Sequence, residues 1–156
     1  MNVLSAAAHR SEYSRALLRI NTVLFAAYGL AYLCAPDSLA ALLTGAPFAT
    51  ATASIDGRAI YGGTSLGIAV MIWLASGSDA SAQRTAQAGC AAVFGGLALG
   101  RIVGMIAGHV APPLMLALAL GELAFCALSW YAIVTLARTR ASAGADDSPN
   151  WIVRDD

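Results

Sequence analysis

The chain has 156 residues, of which 58% are hydrophobic and only 12% are charged, and its mean hydropathy is +0.67. Soluble domains carry roughly 25% charged residues, so this composition indicates an integral membrane protein. Nine basic and nine acidic residues cancel, every basic residue is arginine, and the absence of a basic cluster argues against a nucleic-acid partner.

Four apolar segments cover about residues 16–35, 59–75, 85–107 and 114–137. Each approaches the roughly 20 residues that a helix needs to cross the hydrocarbon core of a bilayer. They predict an all-α fold, an antiparallel bundle of four transmembrane helices. Residues 1–14 are predicted to form a polar cytoplasmic lead, residues 15–138 the transmembrane domain, and residues 139–156 a disordered cytoplasmic tail.

The longest predicted loop, residues 36–57, opens with Pro36-Asp37-Ser38. Ser38 is expected to cap a short interfacial helix over residues 39–43, because serine is a favoured residue at helix starts. Residues 77–82 form a short turn between the second and third spans, which is typical of a helical hairpin.

The arginines that flank the predicted spans are concentrated at one end of the bundle. The positive-inside rule therefore predicts that both termini are cytoplasmic, and an even number of spans agrees with this orientation. We expect a multi-pass protein of the cytoplasmic (inner) membrane with the lipid bilayer as a partner. The arginines at that end are Arg10, Arg15, Arg19, Arg84, Arg138, Arg140 and Arg154.

The third span carries a small residue at every fourth position, which places these residues on one side of the helix. Such a stripe allows another helix backbone to approach closely. The second span has a shorter version of the pattern, so we expect the two spans to pack together; contact between copies of the chain is an alternative. The stripe comprises Ala88, Ala92, Gly96, Gly100, Gly104 and Gly108, and the shorter version comprises Gly63 and Gly67.

Arg101 lies inside the apolar third span, beside this stripe. An arginine near the bilayer centre costs about 2.5–3.5 kcal/mol on insertion scales, so it should face the bundle and have a partner. At a rise of about 1.5 Å per residue, Arg101 lies about 10 Å below the outer surface and Glu122 about 13 Å below it. Because only residues 109–113 join the third and fourth spans, we predict an Arg101–Glu122 pair.

Further polar side chains enter the bundle from the same outer side, and two interpretations of this group stay open. In the first, Arg101 and Glu122 fix the helix register and Arg58 extends to the headgroups. In the second, two arginines exceed one carboxylate and attract a small anionic or carbonyl-bearing, lipid-like ligand. The candidate ligand-binding residues are Arg58, Tyr61, Arg101 and Glu122, with Asp56, Ser65, His109, Tyr28 and Tyr32 as secondary candidates.

The segments Arg58-Ala-Ile-Tyr61-Gly62-Gly63 and Gly95-Gly96-Leu-Ala-Leu-Gly100-Arg101, followed by Glu122, resemble the bacterial four-helix membrane proteins grouped as domain of unknown function 4345. The likeness covers about residues 16–137 and implies a four-helix membrane fold with no established activity. That family commonly has an acidic residue after the third helix, where this chain has Gly108-His109. More distantly, the layout resembles the DoxX-type four-helix bundles, some of which are associated with redox or quinone chemistry.

The sequence contains no Walker loop, dinucleotide fingerprint, HExxH, CxxC or Gly-x-Ser-x-Gly motif. We therefore predict no metal, no cofactor and no catalytic residue, and we interpret the chain as a ligand-binding or accessory membrane module with an outward-facing Arg/Glu pocket. One alternative is a membrane enzyme acting on a quinone-like or other lipid-soluble substrate, with Glu122 or Tyr61 as proton donor. Another is an oligomeric scaffold, either a homo-oligomer or a subunit of a membrane complex, packed through its glycines.

Overall fold

The computed structural model describes the backbone of residues 3–146 and the side chains of residues 9–137. Within these limits, all regular secondary structure is helical, which confirms the predicted all-α fold. A π-helical segment, Arg58–Gly63, joins two of the helices without a break. The α-helices are α1 Val3–Cys34, α2 Pro36–Thr44, α3 Ala51–Gly57, α4 Thr64–Ser76, α5 Ala80–Gly108 and α6 Pro113–Asp146.

Four helical stretches in the described chain are long and apolar enough to cross a membrane. They are His9–Cys34, Ala51–Ser76, Ala80–Gly108 and Pro113–Ala137. These stretches contain the four predicted spans and indicate a multi-pass membrane protein. The second is longer than predicted because α3 and the π-helical segment continue directly into α4.

Two helices extend beyond the predicted membrane domain. Helix α1 begins at Val3, inside the predicted polar lead, and α6 continues to Asp146. Both extensions are rich in alanine, the strongest helix former, so helix can continue beyond the apolar stretch. The predicted disordered tail is therefore wrong for residues 139–146, and residues 147–156 lie outside the described part of the chain.

The helix ends follow from local residue chemistry. The side chain of Asp79 accepts a hydrogen bond from the backbone N–H of Ala82 at 2.8 Å and so begins α5. His109 ends α5 in the left-handed conformation, with φ of 50°. The predicted short helix is present as α2, but it begins with Pro36 at its first turn rather than with a Ser38 cap, because proline suits that position. Its interfacial location stays a prediction.

Helix α5 packs along α6, and α1 packs along α4 and the π-helical segment; α1 also contacts α5 and α6. Three aromatic rings stack across the middle of the bundle. The Phe94 ring lies 5.4 Å from Phe25 and 5.2 Å from Phe125, centroid to centroid. This phenylalanine layer separates the distal half, which contains Arg101, from the terminal half, which contains Tyr13.

A close backbone approach joins α1 to the π-helical segment at Gly29 and Gly62. A Cβ atom at Gly29 would lie only 2.9 Å from the carbonyl oxygen of Gly62, and one at Gly62 would lie 2.9 Å from the Leu33 side chain. Two residues without side chains are therefore required for this contact. The glycine pattern in the sequence predicted close packing at other glycines and not at this pair.

The predicted packing of the small-residue stripe on α5 against the second span is wrong within one chain. A Cβ atom added at any of four glycines of these patterns would meet no atom within 4 Å outside its own stretch of helix. The stripe is instead exposed on the outside of the described bundle, so its contact with a second copy stays a prediction. The four glycines are Gly67, Gly96, Gly100 and Gly104.

Candidate functional site

Arg101 of α5 and Glu122 of α6 form an ion pair in the distal half. Nε of Arg101 donates to both carboxylate oxygens at 2.9 Å, and Nη2 lies 2.9 Å from Oε1. The side chains are 25% and 11% exposed, so most of the pair is enclosed by the bundle. The predicted Arg101–Glu122 pair is therefore confirmed, and burial of the arginine is offset by a carboxylate acceptor.

The other edge of the Arg101 guanidinium has a much weaker partner. Nη1 donates to Sδ of Met115 at 3.7 Å, and a thioether sulfur is a weak acceptor. Glu122 engages Nε and Nη2, so the Nη1 edge retains capacity to donate to a stronger acceptor. The carboxylate thus holds one side of the guanidinium in place and directs the other side toward Met115.

Three tyrosine rings form a row in the distal half. The Tyr32 ring centroid lies 4.9 Å from that of Tyr28 and 5.0 Å from that of Tyr61. Tyr28 also lies within electrostatic range of the Arg101 guanidinium. Tyr61 of the π-helical segment thus extends the Tyr28–Tyr32 pair, and the role of these rings as the wall of a ligand site stays a prediction.

Arg58 does not join the Arg101–Glu122 pair. Its Nε donates to the carbonyl oxygen of Leu33 at 3.1 Å, and its Nη1 donates to Oγ of Ser54 at 3.3 Å. The guanidinium therefore satisfies the C-terminal end of α1, where a positive charge is favourable. The expectation that two arginines converge on Glu122 is wrong because the Arg58 side chain is directed to α1 instead.

The remaining secondary candidates lie apart from the pair. Asp56 is exposed on α3 and Ser65 is buried on α4. The backbone N–H of His109 donates to the carbonyl oxygen of Ile106 at 3.2 Å, where α5 ends. Within the described residues, these three side chains make no hydrogen bond or ion pair to Arg101 or Glu122.

The model of the family described as Domain of unknown function (DUF4345) matches residues 13–133. The chain belongs to the DUF4345 family. The predicted family resemblance is thus confirmed, and the DUF4345 match includes all of the candidate residues discussed above. No curated protein and no solved structure matches the chain. The more distant likeness to DoxX-type bundles stays a prediction.

This DUF4345 protein also has a cleft in its distal half, which was not predicted from the sequence. The cleft has a volume of about 390 Å³ and lies between the loop after α2 and the start of α3. Oγ of Ser54 donates to Oδ2 of Asp37 at 3.1 Å, so Asp37, Ser54 and Arg58 form one connected network along its wall. Phe48 supplies an aromatic side chain to the same wall. Asp37 opens the predicted loop and Arg58 follows its end, and this spacing does not predict that the two residues share a surface.

A set of uncharged polar side chains is also buried in the terminal half, and its glutamines were not predicted from the sequence. Glutamine carries no charge that would mark it within an apolar span. Among the described residues, no three His, Cys, Asp or Glu side chains form a metal-binding group. The fully buried polar residues of the terminal half are Ser14, Asn21, Gln83, Gln87 and Ser129.

Proposed function

We propose that this DUF4345 protein binds a neutral, lipid-soluble molecule through a carbonyl oxygen at the distal Arg101–Glu122 pair. The observation that carries this proposal is the Nη1 edge of Arg101, whose partner in the described chain is the weak acceptor Met115 Sδ at 3.7 Å. A carbonyl oxygen is a stronger acceptor than a thioether and would complete the hydrogen bonding of the guanidinium.

The charges of the pair favour a neutral ligand over an anion. Arg101 and Glu122 sum to zero, and Arg58 contributes its guanidinium to Leu33 and Ser54 instead of this site. A ligand anion would therefore meet the Glu122 carboxylate without a second arginine to offset it. Of the two ligand classes expected from the sequence, anionic and carbonyl-bearing, the site therefore favours the carbonyl-bearing class.

The row of tyrosine rings favours a ligand whose main part is flat or apolar. Tyr28 and Tyr61 are 37% and 45% exposed, and their rings pack against the buried Tyr32. Aromatic faces bind apolar and conjugated molecules well while leaving a hydroxyl to form hydrogen bonds. We place this site toward the outer side of the inner membrane, in the orientation that the arginine distribution favours.

Replacement of Arg101 by lysine tests this proposal. Lysine keeps the positive charge opposite Glu122 but lacks the planar fork of donors, so its free edge no longer matches a carbonyl oxygen. Wild-type protein and the Arg101→Lys variant are purified in native-lipid nanodiscs, and bound small molecules are quantified by mass spectrometry. We expect a carbonyl-bearing molecule enriched in wild type and reduced at least about tenfold in the variant, as for loss of a charge-assisted hydrogen bond.

The matched control is Arg15→Lys, because Arg15 is exposed on α1 in the terminal half. This variant should retain the molecule at the wild-type level. Equal retention in the Arg101→Lys and wild-type proteins, or no enriched molecule in either, contradicts the proposal. A protein that co-purifies instead would support the accessory-subunit alternative.

The enzyme alternative receives no comparable support from the geometry. Both carboxylate oxygens of Glu122 accept hydrogen bonds from Nε of Arg101. Tyr61 packs its ring against Tyr32 in the aromatic row. The site thus presents a positioned guanidinium edge, which suits binding, as its main unsatisfied group.

A second candidate function is self-association through the exposed stripe of α5. The specific observation is the open space next to Gly96, Gly100 and Gly104, where an added Cβ would meet nothing within 4 Å. In a bilayer, helices associate through small residues that allow close backbone contact. Gly100→Leu should therefore reduce the oligomer to a smaller species in light-scattering measurements.

Gly89→Leu is the control for this experiment, since Gly89 is equally open on the same helix but is one residue away from the stripe. One residue corresponds to about 100° around the helix axis. Unchanged oligomer size in Gly100→Leu, or an equal loss in Gly89→Leu, argues against assembly through the stripe. Neither variant should alter ligand retention at Arg101.

A further inference from the structure

The terminal half contains fully buried polar side chains on α1, α5 and α6. Nε2 of Gln87 donates to the carbonyl oxygen of Ser14 at 3.1 Å and to its Oγ at 3.3 Å, which joins α5 to α1. Cys90 lies about one turn beyond Gln87, on the same buried side of α5. Gln83, Gln87 and Cys90 follow one buried side of α5. We name the buried polar residues of this half the polar seam: Ser14, Asn21, Gln83, Gln87, Cys90 and Ser129.

The orientation of the two glutamines follows from their partners. Nε2 of Gln83 donates to the carbonyl oxygen of Ser78 at 2.9 Å, and Nε2 of Gln87 donates to Ser14. A backbone carbonyl can only accept, so in each glutamine the nitrogen must face it and the oxygen must point elsewhere. The amide oxygens of Gln83 and Gln87 are therefore directed away from these two carbonyls.

Five atoms of the polar seam have no nitrogen or oxygen hydrogen-bond partner within the described part of the chain. An amide or hydroxyl buried without a partner costs several kcal/mol in an apolar medium, on the order of 1–3 kcal/mol in protein mutational data. Five such desolvation penalties in one half of a small bundle would together equal a large fraction of its free energy of unfolding. The atoms are Asn21 Oδ1, Asn21 Nδ2, Gln83 Oε1, Gln87 Oε1 and Ser129 Oγ.

The seam ends at the phenylalanine layer. Along α5, Gln83, Gln87, Cys90 and Phe94 follow at intervals of about 6, 4.5 and 6 Å for a rise of 1.5 Å per residue. The ring of Phe94 is stacked between Phe25 and Phe125, so the last polar level is closed by aromatic side chains. Polar groups therefore extend from the terminal end to the middle of the bundle and no further along this line.

We propose that the polar seam binds a column of water molecules that enters from the terminal end and stops at the phenylalanine layer. The unpartnered atoms comprise three amide oxygens, one amide N–H₂ group and one hydroxyl, so their ligand must both donate and accept. Water does both, carries no charge and fits polar sites that an organic molecule would overfill. Water thus enters only the terminal half of the bundle, and Cys90 lies at the end of the column next to the phenylalanine layer.

If the seam holds water, the buried Cys90 is more accessible to solvent than Cys126, which is the opposite of what their surface exposures predict. Cys90 is only 2% exposed, whereas Cys126 is partly exposed. Cys126 lies next to Phe125 and against Gly95, at the phenylalanine layer, where lipid would surround the protein. A water column reaches Cys90 but leaves Cys126 dry.

Exchange of the cysteine S–H hydrogen in D₂O, followed by infrared spectroscopy in lipid bilayers, measures this access with water itself as the probe. One protein keeps only Cys90 (Cys34→Ala, Cys126→Ala) and the matched protein keeps only Cys126 (Cys34→Ala, Cys90→Ala). We expect Cys90 to exchange at least about tenfold faster than Cys126, since exchange rates follow the access of solvent to the group. Slower or equal exchange at Cys90 overturns the proposal.

Asn21→Leu, added to the protein that keeps only Cys90, provides a second measurement. Leucine has a similar size but no polar atom, so it should interrupt the column and slow exchange of Cys90 at least about tenfold. It should also leave the melting temperature equal or lower, because hydrated polar groups are already satisfied. If the amide is instead dry and unpaired, its removal is stabilising, so a higher melting temperature with unchanged exchange contradicts a water column.

Discussion

The distal half and the terminal half of the bundle both bury polar side chains, but they satisfy them differently. In the distal half, Arg101 and Glu122 complete most of each other's hydrogen bonding within 2.9 Å. In the terminal half, the uncharged amides of Asn21, Gln83 and Gln87 retain unpartnered atoms at zero exposure. A buried charge requires a partner within the protein, whereas a neutral amide can be left to water because its desolvation costs less.

Removing the distal carboxylate should have the largest effect on stability. Glu122→Leu leaves the Arg101 guanidinium without its acceptor in an enclosed, apolar setting, which costs about 3 kcal/mol or more for a broken buried pair. We expect a strongly lowered melting temperature and poor accumulation in the membrane. Thermal unfolding in detergent, followed by circular dichroism, measures the change.

The double variant Arg101→Leu, Glu122→Leu is the control for this prediction. Because it removes both charges, it should recover most of the lost stability, as apolar replacements of buried pairs often do. It should still fail to retain the proposed carbonyl ligand. A double variant as unstable as Glu122→Leu would mean that the site stabilises the fold by packing rather than by charge.

An intermediate effect is expected in the terminal half. Gln87→Leu removes the hydrogen bonds from Nε2 to Ser14 at 3.1 and 3.3 Å but leaves no buried charge, so the free energy of unfolding should fall by about 1–2 kcal/mol. Ser14→Ala retains the carbonyl partner and should cost less than about 1 kcal/mol. Chemical unfolding in mixed detergent distinguishes them, and a loss as large as that of Glu122→Leu would remove the contrast between the halves.

The smallest effect is expected at the distal cleft. Arg58→Ala loses partly exposed hydrogen bonds to Leu33 and Ser54, so we expect a stability loss of about 0.5–1 kcal/mol and unchanged ligand retention at Arg101. Asp56→Ala, at an exposed neighbour, should have no measurable effect on unfolding. Loss of the ligand in the Arg58→Ala variant would instead mean that Arg58 belongs to the binding site, as the two-arginine interpretation holds.

The sequence predicts the four spans and the Arg101–Glu122 pair well. Apolar length reveals the four spans, and a short connection between the third and fourth spans places Arg101 near Glu122 at a similar depth. These inferences succeed because the bilayer penalises polar backbone and unpaired charge strongly enough to leave a clear pattern.

Other features depend on which face each helix turns inward, and residue spacing alone does not determine that. Gly96 and Gly100 lie on an exposed face of α5, whereas the close contact uses Gly29 and Gly62. Arg58 begins a π-helical segment, in which residues take different angular positions from those of an α-helix, and its side chain contacts Leu33. A neutral amide such as that of Gln87 costs less free energy to bury than a charge does, so the sequence does not distinguish it from an ordinary polar residue.

The π-helical segment sets the rotation of α3 and the distal cleft about the helix axis, relative to the membrane helices. A π-helical insertion adds about one residue to the helix, which corresponds to about 100° of rotation for everything before it. The residues on which this rotation acts include Ser54, which contacts Asp37, and Arg58, at the start of the insertion, contacts the Leu33 carbonyl. Deleting one residue within 58–63 would therefore swing α3 and the cleft by more than a quarter turn, while the hydrophobic length of the second span stays almost unchanged.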